Sequence, residues 1–264
     1  MNLRSLQQLV RSDIEQFGVA KTVYDLALRA INRLVFLKIF KAMRLDVVNP
    51  DYQEANQRLQ WQFFSKSQLQ ALAENPAHDI TREFLREALE KGDECYGALD
   101  GQVLASYGWY SDKPTATSDD LTVHYSPEYI YMYKGFTHPD YRGKRLHAIG
   151  MNRALHEYLE RHYKGLISYV ESNNFSSLKS TRRLGYEDVG RVVVLRIGQH
   201  LWIRASRSCG KFGFSFAKTR PAAERALSRN DDDRCEATLA PVAESGESLD
   251  PAMANMDIGV SGGF

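Results

Sequence analysis

Paired cysteines, an excess of charge of either sign, and a long apolar run are all missing from this sequence of 264 residues. The three cysteines, Cys95, Cys209 and Cys235, are an odd number with no close pair. They make neither a disulfide framework nor a zinc cluster, which points to a reducing cytoplasm. Lys and Arg number 34 against 33 Asp and Glu, a net charge of +1, so nothing in the whole-chain charge argues for a nucleic-acid partner. Met1 to Gln16 carries Arg4, Arg11, Asp13 and Glu15 without an apolar run, unlike a secretory signal. The most apolar stretch, Val23 to Met43, is interrupted by Asp25, Arg29, Arg33, Lys38 and Lys41, too many charges for an unaided membrane span. What remains, 43% hydrophobic and 25% charged residues, is the composition of a folded globular protein.

Periodicity divides the chain in three. Residues 1–48 read as an amphipathic helical extension: Leu3, Leu6, Val10, Ile14 and Phe17 share one face, and Leu26, Ala30, Leu34 and Leu37 continue a stripe. Residues 21–44 carry Lys21, Arg29, Arg33, Lys38, Lys41 and Arg44 against Asp25 alone. Such a cationic helix either packs on the protein or lies at the inner face of a membrane. Residues 49–218 alternate strands and helices. Leu59, Trp61 and Phe63 show the two-residue period of a strand, Thr81 caps a helical face, and Asp100-Gly101 marks a hairpin. Tyr129 to Thr137 is a strand stopped by His138-Pro139, Met151 to Leu159 a helix, and Leu166 to Glu171 a strand. Ser176 to Leu184 is a short helix before two final strands, and the alternation of Phe212, Phe214 and Phe216 marks an edge strand or tail anchor. The pattern predicts an α/β fold with a central mixed, mostly antiparallel sheet flanked by helices. Residues 219–264, rich in Asp and Glu, read as a disordered acidic tail.

The run His138-Pro-Asp-Tyr-Arg-Gly-Lys-Arg-Leu-His147 stands between a strand and a helix. The first turn of such a helix offers backbone N–H groups and the positive end of the dipole, and Arg142, Lys144 and Arg145 add charge, which is the chemistry of a phosphate site. This run resembles the pyrophosphate loop of the GNAT superfamily of acetyl-CoA-dependent N-acetyltransferases, [Q/R]-x-x-G-x-[G/A]. Arg142 holds its first position, while Arg145 stands where glycine is usual and His147 where glycine or alanine is. A second motif of that family, N-x-x-[A/S]-x-x-x-Y-x-x-x-G-[F/Y], is matched by Asn174, Ser177, Gly185 and Tyr186, with Thr181 in place of the tyrosine that often protonates the departing thiolate.

The resemblance implies acetyl-CoA as co-substrate and an amine-bearing small molecule or peptide as acceptor, allows a homodimer, and calls for no metal. It implies two central strands that splay to admit pantetheine, with Phe136 and Thr137 beside the acyl carbonyl. Arg142, Gly143, Lys144, Arg145, Leu146 and His147 would hold the diphosphate, with Asn174 and Ser177 farther along the cofactor. If the loop stays α-like, the side chains at 145 and 147 can point away from the diphosphate. Aminolysis of a thioester needs a base for the amine and an acid for the sulfur. Glu171 at a strand end is the first choice of base and His138 the second. Thr181 is a weak acid, and Tyr131 or Tyr133 is the substitute. A longer acyl chain from CoA or acyl carrier protein, and a non-catalytic acyl-CoA-binding module, are the rival functions.

Overall fold

The computed structural model describes residues 3–53, 58–117 and 120–219. The acidic tail expected over residues 219–264, beyond Thr219, and Cys235 within it lie outside the described residues.

Two helices open the chain, α1 (Leu3–Phe17) and α2 (Val19–Ile31), joined at Gly18, whose φ of 88° favours glycine. The helix expected to run on to Met43 ends here. Asn32 closes it, its amide donating to the carbonyls of Leu28 and Leu37, both at 2.8 Å, while its Oδ1 accepts from the Leu37 N–H at 2.9 Å. That clamp turns the chain into strand β1 (Phe36–Leu45). The single cationic helix expected over residues 21–44, whether packed on the protein or lying on a membrane, is therefore not formed, and the expected division at 48/49 cuts β1 away from the sheet it belongs to. Among the described residues no helix is long and apolar enough to cross a membrane.

Next come β2 (Leu59–Phe63), α3 (Lys66–Leu72), α4 (Arg82–Lys91), β3 (Glu94–Asp100), β4 (Val103–Ser111), the short β5 (Thr115–Ala116) and β6 (Leu121–His124), and β7 (Tyr129–Thr137). The chain continues through α5 (Leu146–Glu160), β8 (Gly165–Glu171), α6 (Phe175–Leu184), β9 (Glu187–Ile197), β10 (His200–Ala205), α7 (Arg207–Gly210) and β11 (Ser215–Lys218). Thr81 accepts from the Phe84 N–H at 3.1 Å and starts α4 as expected. The hairpin turn is Gly101-Gln102, one place beyond the expected dipeptide, because Asp100 pairs with Val103 and Gly101 takes φ 59°.

The main sheet has eight strands in the order β10-β9-β1-β8-β7-β4-β3-β2, and its only parallel pair among the described residues is β7 with β8. One face is covered by α5 and α6 through Leu146, Met151, Leu155, Tyr158, Leu178 and Leu184. The other face is covered at one end by α3 and α4 around Trp109, Tyr107 and Leu85. At its other end lies a three-stranded sheet, β11-β6-β5, which packs Phe214, Phe216, Leu121 and Val123 against Phe40 and Val192. The phenylalanine alternation before Lys218 thus secures the end of the described chain against the main sheet.

Candidate active site

Strands β7 and β8 pair over only three residues, Tyr129↔Gly165 to Tyr131↔Ile167, after which a side-chain bridge from Ser168 Oγ to the Met132 carbonyl, 3.0 Å, is the last link. Both strands continue, each held by its other neighbour: β7 on β4 as far as Ser106↔Thr137, and β8 on β1 as far as Phe40↔Glu171. The sheet therefore stays whole on both sides of a gap at its centre. The register between Trp109↔Lys134 and Tyr110↔Met132 skips Tyr133, a bulge in β7 beside that gap. The bulge puts Tyr133 and Lys134 on one face, where Tyr133 Oη reaches Asp93 and Lys134 Nζ reaches Asp79 at 2.7 and 2.6 Å. Gly135 then faces α5, and a side chain there would clash with the His147 ring. Glycine is required because the imidazole occupies that space.

The loop beyond β7 leads straight into α5. Its first intrahelical bond, Ile149 N–H to the Arg145 carbonyl at 3.0 Å, leaves the N–H groups of Leu146, His147 and Ala148 ahead of the ladder. No side chain caps them and no acidic residue stands in the first turn. Arg142, Gly143, Lys144 and Arg145 are exposed around that end, with Lys144 Nζ lying 4.7 Å from the centre of the Tyr141 ring. The condition of an α-like loop is not met: Gly143 has φ 79° and Arg145 φ 59°, ψ 19°, the left-handed region. Glycine at 145 would carry no penalty there, whereas arginine is strained by about 1 kcal/mol. His147 packs on the β7 backbone, and burial pushes its imidazole down to about 4, so it is neutral at pH 7.

Glu171 ends β8 four residues beyond its last pair with β7, across the gap from the end of that strand. It is ion-paired with Lys38 of β1. Helix α2 reaches the same strand end through Tyr24 Oη with Ser172 Oγ at 2.7 Å and through Asn173, which donates to Asp25 at 2.8 Å. His138 stands at the opposite lip, where its Nδ1 accepts from the Asp140 N–H at 3.3 Å and starts a single turn. Phe136 is stacked on Tyr107 with centroids 5.3 Å apart, and the Ser106 hydroxyl bonds the Phe136 carbonyl at 2.8 Å and meets Thr137 Oγ1 at 3.3 Å.

The proposed acids sit differently. The Thr181 hydroxyl donates to the carbonyls of Ser177 (3.0 Å) and Leu178 (3.3 Å) of its own helix and is buried against Met43. Tyr133 donates to Asp93, which also pairs with Lys91 at 3.0 Å. Burial first and that carboxylate second push the phenol well above its ordinary range. Tyr131 is buried between Tyr133 and Tyr169, and burial first and the neighbouring Tyr169 second push its phenol well above the ordinary range. Asn174 accepts from the Ser177 N–H at 3.1 Å and from Ser176 Oγ at 3.0 Å, so the second motif builds the start of α6, with Ser177 buried behind it.

Sequence reasoning missed Lys38, Asp93 and Tyr24. The stripe of Leu26, Ala30, Leu34 and Leu37 puts Lys38 on a cationic helix, whereas in β1 Lys38, Lys41 and Arg44 reach Glu171, Asp188 and Glu187. Asp93, just past the Gly92 stop of α4, had no motif around it.

The profile of the Acetyltransferase (GNAT) family matches residues 48–186, a little over half of the chain, and the chain belongs to that family. No curated protein matches it. Among solved structures it is similar to a GCN5-related N-acetyltransferase-like protein from Streptococcus suis, with 14% identity, TM-score 0.43, and 66% of each chain covered. A GCN5-related N-acetyltransferase from Sphaerobacter thermophilus matches at 13% identity and TM-score 0.43, with 68% of this chain and 56% of that one covered. The enzyme AAC(6')-Iy, solved with the bisubstrate analog CoA-S-monomethyl-acetylneamine, matches at 13% identity and TM-score 0.40, covering 49% of this chain and 91% of that one. The match spans 66% of the first of these proteins and 56% of the second, less than two thirds of either. Among the described residues no group of three or more His, Cys, Asp or Glu could hold a metal ion.

Proposed function

We propose that the protein transfers an acetyl group from acetyl-CoA to a primary amine. The observation that carries this reading is the gap between β7 and β8, which opens beside an uncapped, cation-ringed helix start. The diphosphate would take the N–H groups of Leu146, His147 and Ala148 with Arg142 and Arg145, since donors at a helix start and charge-assisted bonds suit that group. Pantetheine would then lie in the gap with the thioester carbonyl against the backbone of Gly135 to Thr137. Glu171, directly or through one water, takes a proton from the acceptor ammonium or the amine as it attacks. The new C–N bond forms, the C–S bond breaks, and the thiolate leaves. The ion pair with Lys38 fixes the position of the Glu171 carboxylate. With the Thr181 and Tyr133 hydroxyls already donated, the proton for sulfur returns from Glu171 or solvent through water.

Release of CoA thiol from acetyl-CoA, measured against a panel of amines, amino sugars and peptides, tests the reading, and donors of increasing acyl length decide between acetyl and longer chains. The same committed hydroxyls favour one rival, an acyl-CoA-binding module. Tight CoA binding with no turnover on any amine would establish it.

A further inference from the structure

Helices α1 and α2 roof a cavity of about 520 Å³ over β1 and α6, and its lining shares no residue with the α5 loop. Five cations from three elements line it: Lys21 of α2, Lys41 of β1, and Lys179, Arg182 and Arg183 of α6. Phe17, Phe175 and Leu178 supply an apolar wall, with Lys21 Nζ 5.5 Å from the centre of the Phe175 ring. Lys41 has a partner in Asp188 at 3.3 Å, but among the described residues no carboxylate pairs with Lys21, Lys179, Arg182 or Arg183. The nearby Asp25 is taken by Arg29 at 2.7 Å and by Asn173.

The dipole of α6 favours Arg182 and Arg183 in its last turn. It gives no reason for Lys21, Lys41 and Lys179 to be brought to the same concavity, where like charges repel and focus a positive potential. Arginine forks and lysine ammoniums at such a density match a phosphate group. We infer that this cavity binds a phosphorylated small molecule, with its phosphate held by Lys179, Arg182 and Lys21 and its organic body against Phe17 and Phe175. The site is separate from the α5 loop and does not depend on the acyl-transfer reading.

Titration calorimetry of the full chain with inorganic pyrophosphate at low salt tests it, alone, with saturating CoA, and in the variant R142E/R145E, whose α5 loop no longer attracts phosphate. The expected result is a pyrophosphate site that persists in all three conditions, whether or not the α5 loop binds a second pyrophosphate when the chain is tested alone. Its affinity should fall at least tenfold in K179E/R182E, whose side chains are exposed, with the circular-dichroism spectrum unchanged. K179Q/R182Q serves as a milder pair should the charge reversal unfold the chain, and should weaken binding in the same direction. The inference is overturned if pyrophosphate does not bind, if binding disappears in R142E/R145E, or if both pairs of α6 substitutions leave it intact. It is also overturned if CoA, but not dephospho-CoA, displaces pyrophosphate, because the cavity would then hold the 3′-phosphate of the cofactor.

Discussion

Two strand-to-helix joins flank the central gap, and they are built in opposite ways. At the join from β8 into α6, Asn174 supplies a side-chain cap. At the join from β7 into α5 there is no cap, and a left-handed arginine stands where the helix begins. A capped helix start has given its donors to the protein, whereas an uncapped one keeps them for an anion and tolerates strain to do so. The closed join carries Glu171 on its strand and offers a fixed carboxylate. In the proposed reaction, binding and proton transfer fall to different joins, so each can be broken without the other.

The largest effect is expected at the closed join. Glu171→Gln should lower turnover about 10²-fold with CoA affinity nearly unchanged, read from steady-state thiol release and CoA titration. Full activity across pH would pass the role of base to His138 or to bulk water. Next comes acid sensitivity at the open join. His147 is pushed down to about 4 by burial, below the ordinary value of 6.5. The unfolded chain therefore binds the proton first, and the stability present at neutral pH is lost as pH falls from about 6.5 toward 4. By pH 4.5 the loss is on the order of 2.5 kcal/mol, and His147→Asn should flatten that part of a urea-denaturation series. An equal slope in the variant would place the acid sensitivity elsewhere. Third, R142E/R145E should weaken CoA binding by about 2 kcal/mol while leaving Asn174 and α6 unaffected.

The open join was legible in the sequence because its basic residues, its proline stop and the strand before it are local. So were the hairpin near Asp100-Gly101, the Thr81 cap and the helix through Met151. β1 was not. Its Leu, Ala, Met, Lys and Arg residues favour helix in isolation, and a strand in mid-sheet with Phe40, Ala42, Met43 and Leu45 all buried has no clean two-residue alternation. Its place is fixed by β8 and β9, both more than 100 residues away in the sequence. The partner of Glu171 was lost with it. The left-handed Arg145 was equally hidden, since nothing in the residue itself announces a positive φ.

Asn174→Ala should cost about 1 kcal/mol in chemical denaturation, the ordinary worth of a helix cap, and Arg145→Ala should cost no comparable amount because Arg145 makes no side-chain cap bond. The smallest effect, and the one that tests whether strain is held at the open join, belongs to Arg145→Gly. Glycine adopts φ near 59° without the clash between Cβ and carbonyl that arginine suffers, which is worth about 1 kcal/mol, but it gives the unfolded chain more freedom and returns part of that. The net expectation is a gain of about 0.5 kcal/mol in stability, together with a loss of CoA affinity because one cation has left the phosphate site. Stability and binding then move in opposite directions in a single variant. A variant that is both less stable and unchanged in CoA affinity would mean that Arg145 serves the fold through its contact with the Tyr52 ring, 6.0 Å away, and not the cofactor.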